Sequence, residues 1–218
     1  MAEFGVVVDT CVLYGMPVAD TMMLAAYHRL YKMYWSQDII RELERTMCKK
    51  EHSQDEIQRR ILAMTGAFRE TEVTDYASYI PAVSLKDEDD RHVVAAALRK
   101  EAEVIVTYNL KHFPQKALST FQHKVRAEHP DAFLRDLLDM HPEGMLNVLG
   151  HQAEKIKISF DDVLLNLEDH VPRFVAETRL LLEQMQDLGV VLPDLQPSDG
   201  SVVIPIERGR RRRAGRSQ

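Results

Sequence analysis

The chain has 218 residues, of which 45% are hydrophobic and 28% are charged, a balance typical of a globular protein that buries its own core. Its two cysteines do not make a disulfide framework, and no apolar run approaches the roughly 20 residues of a membrane span. Because no basic segment precedes the first apolar run, we expect no secretory signal and a cytoplasmic location.

The charge is unevenly distributed along the chain. The formal net charge is −6, yet residues 208–218 contain six arginines and no acid. Residues 1–207 therefore carry about −12, and an acidic body of this kind repels nucleic acid in general.

Strands and helices alternate along the first half of the chain, which predicts an α/β fold with a mostly parallel sheet. Short apolar runs indicate the strands, and apolar residues at helical spacing indicate the helices. In chain order we predict a strand over 5–9, a loop over 10–17, a helix over 21–32, a strand over 33–35, a helix over 37–48 capped by Ser36, a helix with a capping box at Ser53 and Glu56, a strand over 82–84, a helix from Asp90 and a strand over 104–108.

The second half is predicted to be helical. Helices are expected over 131–140, 142–156, 160–168 and 172–188, with prolines in the first turns of two of them. We therefore divide the chain into an α/β domain over 1–125, a small helical C-terminal extension over 126–192, and an extended segment with an arginine-rich tail, predicted to be disordered, over 193–218.

Acidic side chains lie at a strand end and at a helix start. Asp9 ends the first strand, where open parallel sheets bind ligands. Asp90 shares a helix face with Val93 and Ala97, and a carboxylate on a buried face is costly unless a partner compensates. These positions favour a divalent-metal site and hydrolytic chemistry on phosphates.

Each of these acids also has an ordinary explanation. The acid after the first strand could cap the next turn, and acids at a helix start suit the helix dipole, which explains Glu88 and Asp89 better than Asp90. Glu42 and Glu44 lie at opposite edges of an apolar stripe, and spacing alone does not choose between them.

Polar residues at the end of the last predicted strand lie at the same sheet edge. Thr107 and Asn109 either line a site there or simply form the turn. His92 and His112 are expected to lie outside the ligand set, because an oxygen-rich set favours magnesium or manganese over zinc. The chain has no GxGxxG motif, Walker loop or GxSxG elbow, which argues against nucleotide cofactors and that class of hydrolase.

Four segments, in this order, resemble a PIN domain, specifically the VapC-like toxin ribonucleases. The segments are VDTCVL (8–13), WSQDIIREL (35–43), DEDDRHVVAAA (87–97) and VTYNLKHF (106–113). Their order covers most of residues 5–113, and the helical extension resembles that of one branch of the family.

The resemblance implies a PIN-like (Rossmann-like) sheet and a metal-dependent endoribonuclease that a cognate antitoxin protein holds inactive. Asp9, Glu42 and Asp90 match the first three acids of the family, which implies catalytic and metal-binding roles with Mg²⁺ or Mn²⁺. The fourth acidic position falls at or near Asn109, and an amide is a poorer ligand for a hard cation. Asp87 is therefore expected to join the metal ligands.

Further residues and partners follow from the same resemblance. Thr10 and Ser36 match polar positions that line the family's site, and Thr107 and Asn109 are expected to line it as well. A second copy of the chain is a further candidate partner. RNA phosphates are expected to be captured by the tail arginines Arg208, Arg210, Arg211, Arg212 and Arg213, which could instead bind a protein partner.

Two other interpretations stay open. The chain could be a PIN-fold module that binds RNA or protein without cleaving, which Asn109 and the acidic body favour slightly. A metal-dependent phosphatase is a weaker option, since Asp9 is not followed by a second aspartate two residues later.

Overall fold

A five-stranded parallel sheet in the order β3-β2-β1-β4-β5 forms the centre of the protein, seen in a computed structural model that describes residues 4–188. Its central strand is completely buried, as expected for a parallel sheet that helices cover on both faces. The α/β prediction is thus confirmed. The strands are β1 Gly5–Val8, β2 Lys32–Ser36, β3 Glu72–Val73, β4 Val104–Val106 and β5 Arg126–Glu128.

Helices surround the sheet, and turns and loops connect them to the strands. Two short 3₁₀ helices, Ala77–Ala82 and Leu110–His112, lie in connections. The helices of the sheet domain are α1 Thr10–Tyr14, α2 Met16–Tyr27, α3 Gln37–Lys49, α4 Gln54–Ala67, α5 Arg91–Lys100 and α6 Gln115–Leu118. The helices of the extension are α7 Pro130–Met140, α8 Pro142–Ile156, α9 Phe160–Glu168 and α10 Pro172–Asp187.

The predicted helix starts are confirmed where a side chain caps them. The Ser36 hydroxyl accepts a hydrogen bond from the Ile39 amide at 3.3 Å and so begins α3. Ser53 and Glu56 form the predicted capping box of α4, with reciprocal hydrogen bonds of 2.8 and 3.2 Å. These caps satisfy backbone amides that have no partner inside the helix.

Parts of the sheet domain differ from the prediction, and the strands β3 and β5 were not predicted. The predicted strand over 82–84 is absent: Ala82 ends the 3₁₀ helix that contains Pro81, and the strand that pairs with β2 on its outer side is β3. The predicted loop over 10–17 instead contains α1 and the start of α2, with Pro17 in the first turn. The sequence also gave no signal for β5, a short, partly exposed strand that pairs with β4.

The helical extension is anchored on the sheet domain by polar contacts. Gln152 on α8 accepts a hydrogen bond from the buried Thr21 hydroxyl at 2.7 Å and donates to the Pro17 carbonyl at 3.1 Å, both on α2. Within the extension, the Asp131 carboxylate on α7 accepts from the Phe174 amide on α10 at 2.9 Å.

Among the described residues, no helix has the length and apolar character needed to cross a membrane.

Candidate metal centre and active site

The adjacent ends of β1 and β4 bring Asp9 and Thr107 together. Val8 pairs with Val106 in the sheet, so the residues that follow them meet at its carboxyl edge. The Thr107 hydroxyl donates a hydrogen bond of 2.6 Å to Asp9 Oδ2. Asp9 is only 5% exposed and Thr107 is fully buried, so this contact fixes the orientation of the carboxylate.

Cys11 is a second donor to the same carboxylate. Its thiol lies 3.1 Å from Asp9 Oδ2, and its sulfur accepts a hydrogen bond from the Tyr108 amide at 3.3 Å. Burial, followed by the negative charge of Asp9, raises the pKa of the Cys11 thiol to about 12. Cys11 is therefore a protonated neighbour that helps to hold Asp9.

Glu42 reaches the site through Thr10 and His92. The Thr10 hydroxyl donates to Glu42 Oε2 at 2.9 Å, and His92 Nε2 lies 3.2 Å from Glu42 Oε1. Burial acts to raise the pKa of Glu42, but the hydrogen bonds and charge of His92, together with Thr10, outweigh burial and leave the pKa below its usual value. Glu42 is therefore a carboxylate anchored to the first turns of both α1 and α5.

Asp90 and Asp87 converge on His112. Asp90 ends the loop before α5 and makes no side-chain cap of that helix. Its Oδ2 lies 2.7 Å from His112 Nδ1, while Asp87 Oδ2 lies 3.6 Å from the same nitrogen. Within residues 4–188, this trio is the group of three potential ligands whose ligand atoms all lie within 4.8 Å of one another.

The carboxylate of Asp90 is in an unfavourable electrostatic position. Burial is the largest cause of its raised pKa, and the charges of Asp9 and Asp87 raise it further, against the opposing effect of His112. Asp9 therefore lies close enough to Asp90 for their charges to interact, although it is outside the 4.8 Å trio. Like charges gathered at one place favour either a proton or a cation between them.

Two of the predicted site-lining residues act mainly through their backbone or their local helix. Ser36 is buried and its hydroxyl caps α3. Asn109 is exposed, and its backbone amide donates a hydrogen bond of 3.0 Å to Thr107 Oγ1. The other two, Thr10 and Thr107, contact the predicted acids directly. The tail arginines lie outside the described residues.

Sequence reasoning missed one residue that contacts a predicted acid. Cys11 lies two positions after Asp9, but nothing in that spacing shows that α1 turns its sulfur back toward the carboxylate. His112 was expected to lie beside the ligands and outside the ligand set, and its ring contacts Asp90 and Asp87.

Comparison with known proteins agrees with this geometry. The family model described as "PIN domain" matches residues 5–111, and the one described as "VapC50 C-terminal domain" matches residues 130–180. Residues 5–111 of the chain therefore form a PIN domain. The first match ends in the 3₁₀ helix after β4, the second begins at α7, and α6 and β5 lie between the two.

A curated relative of this PIN-domain protein is named "Putative ribonuclease VapC50", from Mycobacterium tuberculosis (strain ATCC 25618 / H37Rv). The two are 47% identical over 109 residues, a stretch that spans 48% of this chain and 63% of the relative. No solved structure matches the chain significantly.

The donor set of this PIN domain fits a divalent cation. The carboxylates of Asp9, Glu42, Asp87 and Asp90 are drawn to one edge of the sheet, and oxygen-rich sets of this kind suit hard divalent ions. A cation would relieve the repulsion that raises the pKa of Asp90. The identity of each ligand stays a prediction.

Proposed function

We propose that this chain is a metal-dependent endoribonuclease, the toxin of a toxin–antitoxin pair, which acts in the cytoplasm. The observation that carries the proposal is the convergence of Asp87 and Asp90 on His112, with Asp9 at the adjacent ends of β1 and β4, in a PIN domain. The similarity of half the chain to a relative named as a ribonuclease supports the same assignment. A cognate antitoxin is the expected protein partner, encoded by a small neighbouring reading frame.

The side chains at the site divide into ligands and groups that orient them. Asp9, Glu42, Asp90 and Asp87 would hold Mg²⁺ or Mn²⁺. When bound, such an ion supplies positive charge next to the scissile phosphate and lowers the pKa of a coordinated water molecule.

The orienting groups fix the carboxylates before substrate arrives. Thr107 and Cys11 hold Asp9, and Thr10 holds Glu42. A carboxylate whose position is already set costs no reorganisation during the reaction.

The test is cleavage of total RNA by the full-length protein with Mn²⁺, with Mg²⁺ and with excess chelator, followed by mapping of the new RNA ends. We expect Asp9→Asn and Asp90→Asn to lower the rate by on the order of 100-fold or more, because each removes a charge that the site needs. Asp136→Asn, an exposed aspartate on α7, is the matched control and should cleave like wild type.

Two results would overturn the proposal. Wild-type cleavage in excess chelator would exclude metal dependence, and full activity of Asp9→Asn would exclude this site. Binding of RNA without any cleavage would instead favour the non-catalytic PIN-fold module, for which the amide at Asn109 in place of an acid is the specific argument.

A further inference from the structure

The loop that follows β4 delivers a histidine to the metal centre. Thr107 Oγ1 accepts a hydrogen bond of 3.0 Å from the backbone amide of Asn109. The backbone carbonyl of Asn109 in turn accepts a hydrogen bond of 2.8 Å from the backbone amide of His112, which closes the 3₁₀ helix Leu110–His112. Because Thr107 is itself hydrogen-bonded to Asp9, the loop is tied to the sheet edge. This backbone path places the His112 ring, instead of the Asn109 side chain, against the acids.

One nitrogen of the His112 ring lies among the carboxylate oxygens of the two aspartates. Its Nδ1 faces Asp90 Oδ2 at 2.7 Å and Asp87 Oδ2 at 3.6 Å, and all three ligand atoms lie within 4.8 Å of one another. The side chains of Asp87 and His112 are 46% and 30% exposed, so the group is open to solvent and to an incoming ion.

A nitrogen donor changes which ion such a site prefers. Mg²⁺ is bound through oxygen ligands and keeps several of its waters. Imidazole suits transition metals, and affinity rises from Mn²⁺ along the first-row series. A set of two carboxylates and one imidazole therefore favours Mn²⁺ over Mg²⁺ more than a set of oxygens alone.

We propose that His112 is a direct nitrogen ligand of the metal ion, together with Asp87 and Asp90, and that it shifts the preference of the site from Mg²⁺ toward Mn²⁺. This inference rests on the metal dependence proposed above. It assigns the role of the missing fourth acid to the pair Asp87 and His112, since Asn109 supplies only backbone contacts to this arrangement.

Pulsed electron paramagnetic resonance of the full-length protein loaded with Mn²⁺ tests the inference without an activity assay. We expect ¹⁴N coupling from one directly bound imidazole in wild type, its loss in His112→Gln, and its retention in His52→Gln. His52 is a matched control, because its Nδ1 faces the Glu56 carboxylate at 3.8 Å with a side chain that is 35% exposed.

Calorimetry with Mn²⁺ and with Mg²⁺ supplies the second readout. His112→Gln should weaken Mn²⁺ binding by on the order of tenfold or more, as even outer partners of metal ligands cost that much, and should weaken Mg²⁺ binding less. His112→Asp keeps a ligand but replaces nitrogen by oxygen, so its preference for Mn²⁺ over Mg²⁺ should fall.

The outcomes separate this inference from the proposed function. Absence of ¹⁴N coupling in wild type, or coupling that persists in His112→Gln, overturns the role of His112 while leaving metal-dependent cleavage standing. Failure of wild type to cleave RNA with any ion would remove the nuclease, whereas the spectroscopic result would still decide whether His112 binds metal.

Discussion

Asp9 is held on one oxygen by two donors of different strength. Thr107 and Cys11 both contact Oδ2, at 2.6 and 3.1 Å. This arrangement raises the pKa of the Cys11 thiol, because burial and the adjacent carboxylate both disfavour the thiolate. The sulfur is thus a structural donor and a poor nucleophile at neutral pH.

Alkylation measures this directly, with Cys48 as the internal comparison. Cys48 is exposed and Cys11 is half-buried, and the pKa of Cys11 lies at about 12. At pH 8 we expect iodoacetamide to modify Cys48 first and Cys11 more slowly by about tenfold or more, because so little thiolate is present. Peptide mass spectrometry over time gives both rates.

The variant Asp9→Asn removes the charge that acts on the thiol and should speed modification of Cys11, leaving the rate at Cys48 unchanged. Equal rates at the two cysteines in folded wild type would show that the thiol is not suppressed as the structure indicates.

At the scale of elements, a buried charged cluster joins three helices. Asp20 on α2 is 1% exposed, and neither of its carboxylate oxygens has a hydrogen-bond partner among the described residues. Lys155 on α8 and Arg60 on α4 provide nearby positive charge. Arg60 also donates to the carbonyls of Leu13 and Tyr14 at the end of α1, the helix that begins next to Asp9.

Asp20 should make the protein less stable as the pH rises. Burial raises its pKa to about 6, from about 3.9 for an aspartate in an unfolded chain, in spite of Lys155 and Arg60. A group whose pKa is raised on folding stabilises the fold below its unfolded pKa, and this stabilisation is lost as the pH rises through the folded pKa. The loss between about pH 4 and pH 6 amounts to about 3 kcal/mol.

Urea denaturation of Asp20→Asn at several pH values tests this expectation. The uncharged amide should raise the free energy of unfolding at pH 7 and flatten its pH dependence between 4 and 6, whereas the exposed control Asp136→Asn should leave both unchanged. A variant that is clearly less stable than wild type at pH 7 would mean that the Asp20 charge is compensated by its two cationic neighbours.

Element-level predictions from the sequence succeeded where the signal is local. Ser36 caps α3 because its hydroxyl needs only the amide three residues later, and Val93 and Ala97, on the face that helical spacing predicts for α5, are buried. The pairing of β5 with β4 is decided by distant residues, since β5 itself is short and charged. The choice of Glu42 over Glu44 likewise depends on contacts with Thr10 and His92.

The site shows the same division. Asp9 and Asp90 could be predicted because a strand end and a buried helix face are visible in the sequence. His112 could not, because its position against Asp90 follows from the fold of the loop after Thr107 and not from any spacing of ligands.

At the scale of the whole molecule, the acidic body and the arginine tail carry opposite charge, so we expect them to have opposite effects on the proposed RNA substrate. Residues 1–207 carry about −12, while 208–218 contain six arginines. A tethered cationic segment could supply the attraction that the body lacks. Each phosphate that the tail neutralises on a single strand adds about −0.7 to the slope of log affinity against log salt.

Truncation after Glu207 should therefore flatten that plot by roughly 2 to 4 units if three to six arginines engage RNA. RNA affinity at low salt should fall, and the cut site should not change, because the metal centre lies in the sheet domain. A full-length variant with the tail arginines replaced by glutamine keeps the chain length and should behave like the truncation. If both variants bind RNA with the same affinity and salt dependence as wild type, the arginines do not contact RNA. Capture of the antitoxin would then be the better assignment for them. A binding assay of the same two variants with that partner would measure it.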